Sequence, residues 1–88
     1  MTEQYYIKLE KLIREHFRKY QFARVGGSLL VVKIGYFKIY VDMNALISYI
    51  LLPCVEIDNN YYRDQAKALR LKRKLQHYIN LIIKNKYM

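Results

Sequence analysis

Hydrophobic and polar residues follow a helical period through the last third of the chain, residues 61–87. This stretch contains neither Gly nor Pro, so its pattern predicts one long amphipathic helix. The apolar positions lie on one side: Ala68, Leu71, Leu75, Tyr78, Ile79 and Ile82. The basic positions gather on the other side: Arg63, Lys67, Arg70, Arg73, Lys74, His77 and Lys84. We therefore expect the apolar side to face a core and the basic side to face outward.

A second amphipathic pattern predicts a helix from the N-terminus to about Lys19, with Thr2 as its N-cap. Glu3 follows in the first turn, where a negative charge is favourable to the helix dipole. The apolar face of this helix consists of Tyr5, Tyr6, Leu9, Leu12, Ile13, His16, Phe17 and Tyr20. Arg18 and Lys19 fall on the polar side. The helix is therefore predicted to cover the core, with His16 turned toward it.

The period shortens to two in residues 21–42, and Gly residues mark turns at positions 26–27 and at Gly35. This pattern predicts a meander of three antiparallel strands, at residues 21–25, 28–34 and 36–42. Side chains alternate between the two faces of a strand. In the third strand, the residues expected to face the helices are Phe37, Ile39 and Val41. Those expected to face water or a partner are Tyr36, Lys38 and Tyr40.

Residues 42–52 form an apolar segment that fits two structures. Asp42 is a suitable cap for a short helix over residues 43–51, which Pro53 would end. The same residues fit a buried strand, because a short apolar run does not distinguish the two by its period. The helix is the favoured interpretation.

The chain after Pro53 predicts a short strand at residues 54–57, followed by a turn. Asp58-Asn59-Asn60 has side chains that turn the chain and cap a helix, so it is predicted to begin the long helix. Cys54 is the only cysteine, which excludes an internal disulfide and a cysteine-based metal cluster. We expect Cys54 to be a small buried residue.

Together these elements predict a single α+β domain spanning residues 1–88. A small antiparallel meander of three to four strands would be covered on one face by the N-terminal helix and the long C-terminal helix. The hydrophobic share of 53% is above the roughly 45–50% of ordinary globular domains. This excess leaves apolar surface for a homodimer or a docking partner.

The net charge of +9 is concentrated near the C-terminus, where residues 63–88 hold half of the Lys and Arg residues but only Asp64 among the acidic ones. A basic row along a helix favours contacts with the phosphates of DNA or RNA. The predicted nucleic-acid contacts are Arg63, Lys67, Arg70, Arg73, Lys74 and Lys84. Tyr36 and Tyr40 are candidates for base stacking or for an interface. The alternative is a solvated helix whose charge serves solubility alone.

The order of helix, strands and helix is similar to that of the double-stranded-RNA-binding domain. In that family the start of the last helix carries basic residues that bridge phosphates. Arg63, Ala66 and Lys67 correspond to its basic and alanine positions. The resemblance therefore implies contacts with a nucleic-acid backbone. Residues 43–57 depart from the family pattern, and the connection between the first two strands is shorter than in the family.

None of the common nucleophile, zinc-binding or phosphate-loop motifs occurs in the sequence. Asp42, Glu56 and Asp58 have carboxylates of the kind that hold Mg²⁺ in nucleases, but turn and cap positions explain Asp42 and Asp58. His16 and His77 are not spaced as a pair of metal ligands. We therefore expect no enzymatic activity, no cofactor and no metal.

A protein–protein interaction module is the alternative function. Abundant Tyr, Ile, Lys and Asn are typical of low-GC genomes, such as those of small viruses and mobile elements. A small basic protein of that origin could inhibit a larger host protein by docking on its acidic surface. The N-terminus lacks the apolar core of a signal peptide, and the longest apolar run is shorter than the ~20 residues of a membrane span. We expect a cytoplasmic protein, in the host cytoplasm if viral, without a membrane partner.

Overall fold

The computed structural model describes residues 3–85. Its elements, in chain order, are α1 (Glu3–His16), β1 (Ala23–Val25), β2 (Leu29–Ile34), β3 (Phe37–Asp42), β4 (Ile47–Leu51) and α2 (Asn59–Asn85). The strands form one antiparallel sheet in the order β1-β2-β3-β4. The predicted α+β class is thereby confirmed. The proposed Thr2 cap and the predicted helix end at residue 87 lie outside the described residues.

One face of the sheet carries the core. The strand register pairs Leu30 with Val41 and Val32 with Ile39, so these four side chains share a face, and all four are buried. They pack in one cluster with buried residues of both helices: Leu9 and Ile13 of α1, and Leu71, Leu75, Ile79 and Ile82 of α2. Phe37 is buried in the same cluster. The inward face predicted for the third strand is therefore confirmed.

Residues 43–51 form a turn and a strand, so the helix favoured for this segment was wrong. The Asp42 carboxylate accepts hydrogen bonds from the N–H groups of Asn44 and Ala45, at 2.9 and 3.0 Å, and these bonds hold the turn. Leu46 has a φ of 62°, a left-handed conformation that a right-handed helix excludes. β4 then pairs with β3, with Tyr49 opposite Tyr40.

The connection from β4 to α2 also differs from expectation. Residues 52–58 have no regular structure, so the short strand predicted at residues 54–57 was wrong. Cys54 is exposed on this connection instead of being buried. The sheet has four strands, whereas the resemblance to the double-stranded-RNA-binding domain rests on three. The strand β4 is therefore a departure from that family's order of elements.

Gln76 of α2 closes the outer edge of β4, which is an end strand of the sheet. Its Oε1 accepts a hydrogen bond from the Ser48 N–H at 2.7 Å, and its Nε2 donates one to the Leu46 carbonyl at 3.1 Å. A neighbouring strand would form a similar pair of hydrogen bonds. The Ser48 hydroxyl also donates to the Lys72 carbonyl at 3.0 Å. These contacts reinforce the rotation of α2 about its axis, and therefore which of its residues face outward.

Replacing Gln76 by Ala should destabilise the fold, because the Ser48 N–H loses its acceptor at a residue that is buried. We expect Q76A to lower the free energy of unfolding by about 1–3 kcal/mol. H77A changes an exposed neighbour on the same helix and should alter that free energy by less than about 0.5 kcal/mol. Urea denaturation followed by circular dichroism measures both values. Equal stabilities for the two variants would contradict this role of Gln76.

The start of α2 is held by Asp58, as its cap chemistry predicted. The carboxylate accepts hydrogen bonds from the Tyr61 N–H at 2.9 Å and from the Tyr36 hydroxyl at 3.0 Å. The Tyr61 N–H, followed by the Tyr36 hydroxyl, holds the pKa of Asp58 below its usual range. Gly35 has a φ of 57° and lies against Asp64, so that a Cβ here would overlap the Asp64 carboxylate. The turn between β2 and β3 is thus docked on the first turns of α2.

The lowered pKa of Asp58 predicts a loss of stability in acid. Such a carboxyl group contributes stability above its unfolded pKa of about 4 and loses that contribution as the pH falls through its folded pKa. D58N keeps a residue that caps helices but cannot take up the proton. We expect the melting temperature of the parent to fall more steeply than that of D58N between about pH 5 and pH 2. Melting curves followed by circular dichroism test this, and parallel pH profiles would contradict it.

Candidate nucleic-acid interface

The outer face of α2 carries the basic residues that the sequence pattern singled out. Because Leu71, Leu75 and Ile79 are buried against the sheet, the opposite side of the helix faces outward. All six predicted contacts are exposed: Arg63, Lys67, Arg70, Arg73, Lys74 and Lys84. At the rise of an α-helix, Lys67 and Lys84 are about 25 Å apart along the axis. The cations therefore form an extended row.

Three of these cations line one groove. Lys67, Arg70 and Lys74 follow one another at i, i+3 and i+7, which places them on one stripe of the helix. The same groove is lined by Tyr20, Ile34 and Leu71, and its volume is about 420 Å³. Tyr20 and Ile34 are partly buried and Leu71 is buried. The groove therefore combines exposed cations with less exposed apolar and aromatic side chains.

A second groove, with a volume of about 540 Å³, adjoins the first at Tyr20 and Lys74, which line both. Its other lining residues come from the end of α1 and the turn that follows: Glu15, His16, Phe17, Arg18 and Lys19. Arg18 and Lys19 thus add two exposed cations to the three on α2. The two grooves together are called the basic groove below.

The sequence pattern assigned Arg18 and Lys19 to the polar side of the first helix, because its period continued to about Lys19. α1 ends at His16 instead. The next residues turn, and the Tyr20 N–H donates a hydrogen bond to the Phe17 carbonyl at 3.1 Å. This turn brings Arg18 and Lys19 to the basic groove. Helix ends are the least reliable part of a prediction from pattern, so the sequence did not reveal this placement.

The other three predicted contacts, Arg63, Arg73 and Lys84, do not line the basic groove and are called the outer set below. Arg63 donates a hydrogen bond from Nη2 to Asn60 Oδ1 at 2.7 Å, and its Nε lies 4.0 Å from Asp64 Oδ1. Lys84 is about 15 Å beyond the groove residue Lys74 along α2. The structure therefore divides the predicted site into two parts.

Acidic residues of the chain are largely engaged away from these cations. Glu10 pairs with Arg14 at 2.9 Å and with Arg24 at 3.4 Å, and Glu3 pairs with Arg24 at 3.4 Å. This network ties α1 to β1. Within residues 3–85, Arg63 is the only one of the six predicted contacts that has a carboxylate within 4.0 Å. The remaining five are not neutralised by the described part of the chain.

Tyr36 and Tyr40 have different surroundings, and the prediction that Tyr36 faces water or a partner was wrong, because Tyr36 packs against the core. Tyr36 lies in the turn before β3, and its hydrogen bond to the Asp58 carboxylate raises the pKa of the Tyr36 hydroxyl. Tyr40 stacks on Tyr49 of the neighbouring strand, with ring centroids 5.2 Å apart and an interplanar angle of 12°. Neither Tyr36 nor Tyr40 lines the basic groove. Tyr20, which the sequence pattern assigned to the core, packs against the core and also lines the groove.

The face of the sheet opposite the core carries exposed apolar residues. Val25, Ile47 and Leu51 are 50%, 49% and 58% exposed. Lys33 lies opposite Lys38 in the pairing of β2 with β3, and like charges in this arrangement repel each other. This face, called the open sheet face below, is a second candidate surface for a partner.

The candidate metal and catalytic residues are dispersed. No group of three or more His, Cys, Asp and Glu side chains within residues 3–85 is arranged to hold a metal ion. Asp42 and Asp58 serve the turn and the cap described above. His16 is exposed, contrary to expectation, and stacks on Tyr78 at 3.9 Å between ring centroids.

No protein-family model matches the chain, and no similar curated protein or solved structure was found. Within the described range, neither α1 nor α2 has the length and apolar content needed to cross a lipid bilayer. A fold class by itself does not specify a function, so the chemistry of the surfaces described above is the guide to function.

Proposed function

We propose that the protein binds nucleic acid without catalysis, through phosphate contacts made by the outer face of α2. The observation that carries this proposal is the row of exposed cations that have no carboxylate partner within residues 3–85. The row consists of Lys67, Arg70, Arg73, Lys74 and Lys84. Arg63 extends it at the start of the helix, although Asn60 and Asp64 share its guanidinium.

Phosphate contacts explain how such a row would act. Each phosphate that is neutralised releases condensed counterions, so affinity depends on the number of cations engaged and falls with salt. Contacts with phosphates position the protein without reading base sequence. The proposed binding is therefore strong at low salt and nearly independent of sequence.

Removing three central cations should weaken binding strongly. We expect R70A/R73A/K74A to lower the affinity by orders of magnitude, and to make the slope of log affinity against log salt shallower by about 3, or 1 per lost contact. Fluorescence anisotropy with labelled oligonucleotides, between about 50 and 200 mM salt, measures both quantities. Circular dichroism checks that the variant remains folded.

K8A/K11A/K33A is the matched control, because it removes the same charge from exposed positions away from α2. It should retain most of the affinity. If R70A/R73A/K74A binds nucleic acid as tightly as the parent, the proposed site is wrong. The same conclusion follows if R70A/R73A/K74A and the control have equal affinities.

Binding to a larger protein is the second candidate function, and the open sheet face is the observation that favours it. Val25, Ile47 and Leu51 expose apolar area there, and Lys33 with Lys38 would complement an acidic surface. A small viral or mobile-element inhibitor would use such a face. A stoichiometric protein complex that persists at high salt, together with weak nucleic-acid binding, would favour this function. A homodimer through the same face would show as a mass that depends on concentration in sedimentation equilibrium.

A further inference from the structure

We infer that the nucleic acid recognised is an unpaired strand, seated in the basic groove with a base against Tyr20. This inference rests on the proposed function and adds the class of ligand and three further contacts, Arg18, Lys19 and Tyr20. The basic groove contains aromatic and apolar side chains as well as cations. This composition indicates the class of ligand.

The basic groove combines exposed cations with apolar and aromatic side chains. Lys67, Arg70 and Lys74 are exposed, whereas Tyr20 and Ile34 are partly buried and Leu71 is buried. A phosphate needs the cations alone. A nucleotide with a free base also presents a flat apolar face, which aromatic side chains stack on. The combination therefore fits unpaired nucleotides.

A duplex cannot bind this surface in the same way. Its base faces are stacked inside the double helix, so only its phosphates and the base edges in its own grooves are available to a protein. Duplex phosphates can contact the exposed cations of the outer set, but they cannot stack on the partly buried ring of Tyr20. Single strands expose base faces and are bound by cationic grooves that contain aromatic side chains.

The course of the groove suggests how a strand would lie. One part is lined by α2 residues and the other by the end of α1 and its following turn, and the two parts share Tyr20 and Lys74. Cations therefore flank Tyr20 from two separate elements: Arg18 and Lys19 from the turn, and Arg70 and Lys74 from α2. Glu15 is the one carboxylate among these lining residues, at the α1 end. A strand that passes over Tyr20 would have cations on both sides.

The test compares a labelled oligodeoxythymidine strand of about 20 nucleotides, longer than the ~4–16 nucleotides of common single-strand sites, with a duplex of equal length. We expect the parent to bind the strand at least about tenfold more tightly than the duplex. R18A/K19A should weaken strand binding by about tenfold or more and change duplex binding less. Both residues are exposed, so this variant should stay folded.

Tyr20 is tested by two substitutions. Y20F keeps the aromatic face and should retain the affinity for the strand. Y20L should lose about 5- to 150-fold, the equivalent of one lost stacking contact. Circular dichroism verifies the fold of each variant, and R18A/K19A tests the groove independently if Y20L is destabilised.

K33A/K38A is the matched control for R18A/K19A, because it removes two cations from the open sheet face. It should leave strand binding almost unchanged. The groove inference is overturned if duplex binds as tightly as the strand, or if K33A/K38A weakens strand binding as much as R18A/K19A does. If R70A/R73A/K74A abolishes binding while the groove variants R18A/K19A and Y20L do not, the proposed function stands and the groove inference fails. If neither probe binds the parent, both fail.

Discussion

The packing of the α2 apolar stripe on one face of the sheet determines where the charges lie. Leu71, Leu75 and Ile79 are buried there, and fully burying such a side chain contributes about 1.5–3 kcal/mol. Repulsion between neighbouring cations on an exposed helix face costs only a few tenths of a kcal/mol per pair. The stripe therefore decides the orientation of the helix, and the cations face outward despite their mutual repulsion. Gln76 reinforces that orientation at the edge of β4.

The acidic side chains do not offset this surplus, because the fold uses most of them for other contacts. Glu10 joins α1 to β1 through Arg24, Asp42 holds the turn before β4, and Asp58 caps α2. The positive surface of α2 is thus a consequence of how the fold distributes its few carboxylates. An anionic partner would relieve the repulsion that remains, which links the stability of the protein to its proposed function.

Periodicity predicted the elements whose side chains repeat over several turns or strand pairs, and failed where a single local conformation decided the structure. The long helix and the inward residues of β3 were predicted correctly. A helix was favoured over the strand β4 because the cap chemistry of Asp42 suits a turn as well as a helix, and the left-handed conformation of Leu46 leaves no mark in the sequence. Arg18 and Lys19 are exposed as predicted, but they lie in a turn after the helix, because the end of α1 at His16 has no clear stop signal.

Mapping the surface that an oligonucleotide touches tests directly whether the outward cations of α2 meet the ligand. In a ¹H–¹⁵N NMR titration of the labelled protein, we expect the largest chemical-shift changes at backbone amides of residues 67–74 and 18–20. Amides around Val25, Ile47 and Leu51 on the open sheet face should change little. The opposite result, with changes concentrated on the sheet strands and α2 unaffected, would contradict the claim that the outward cations of α2 meet the ligand.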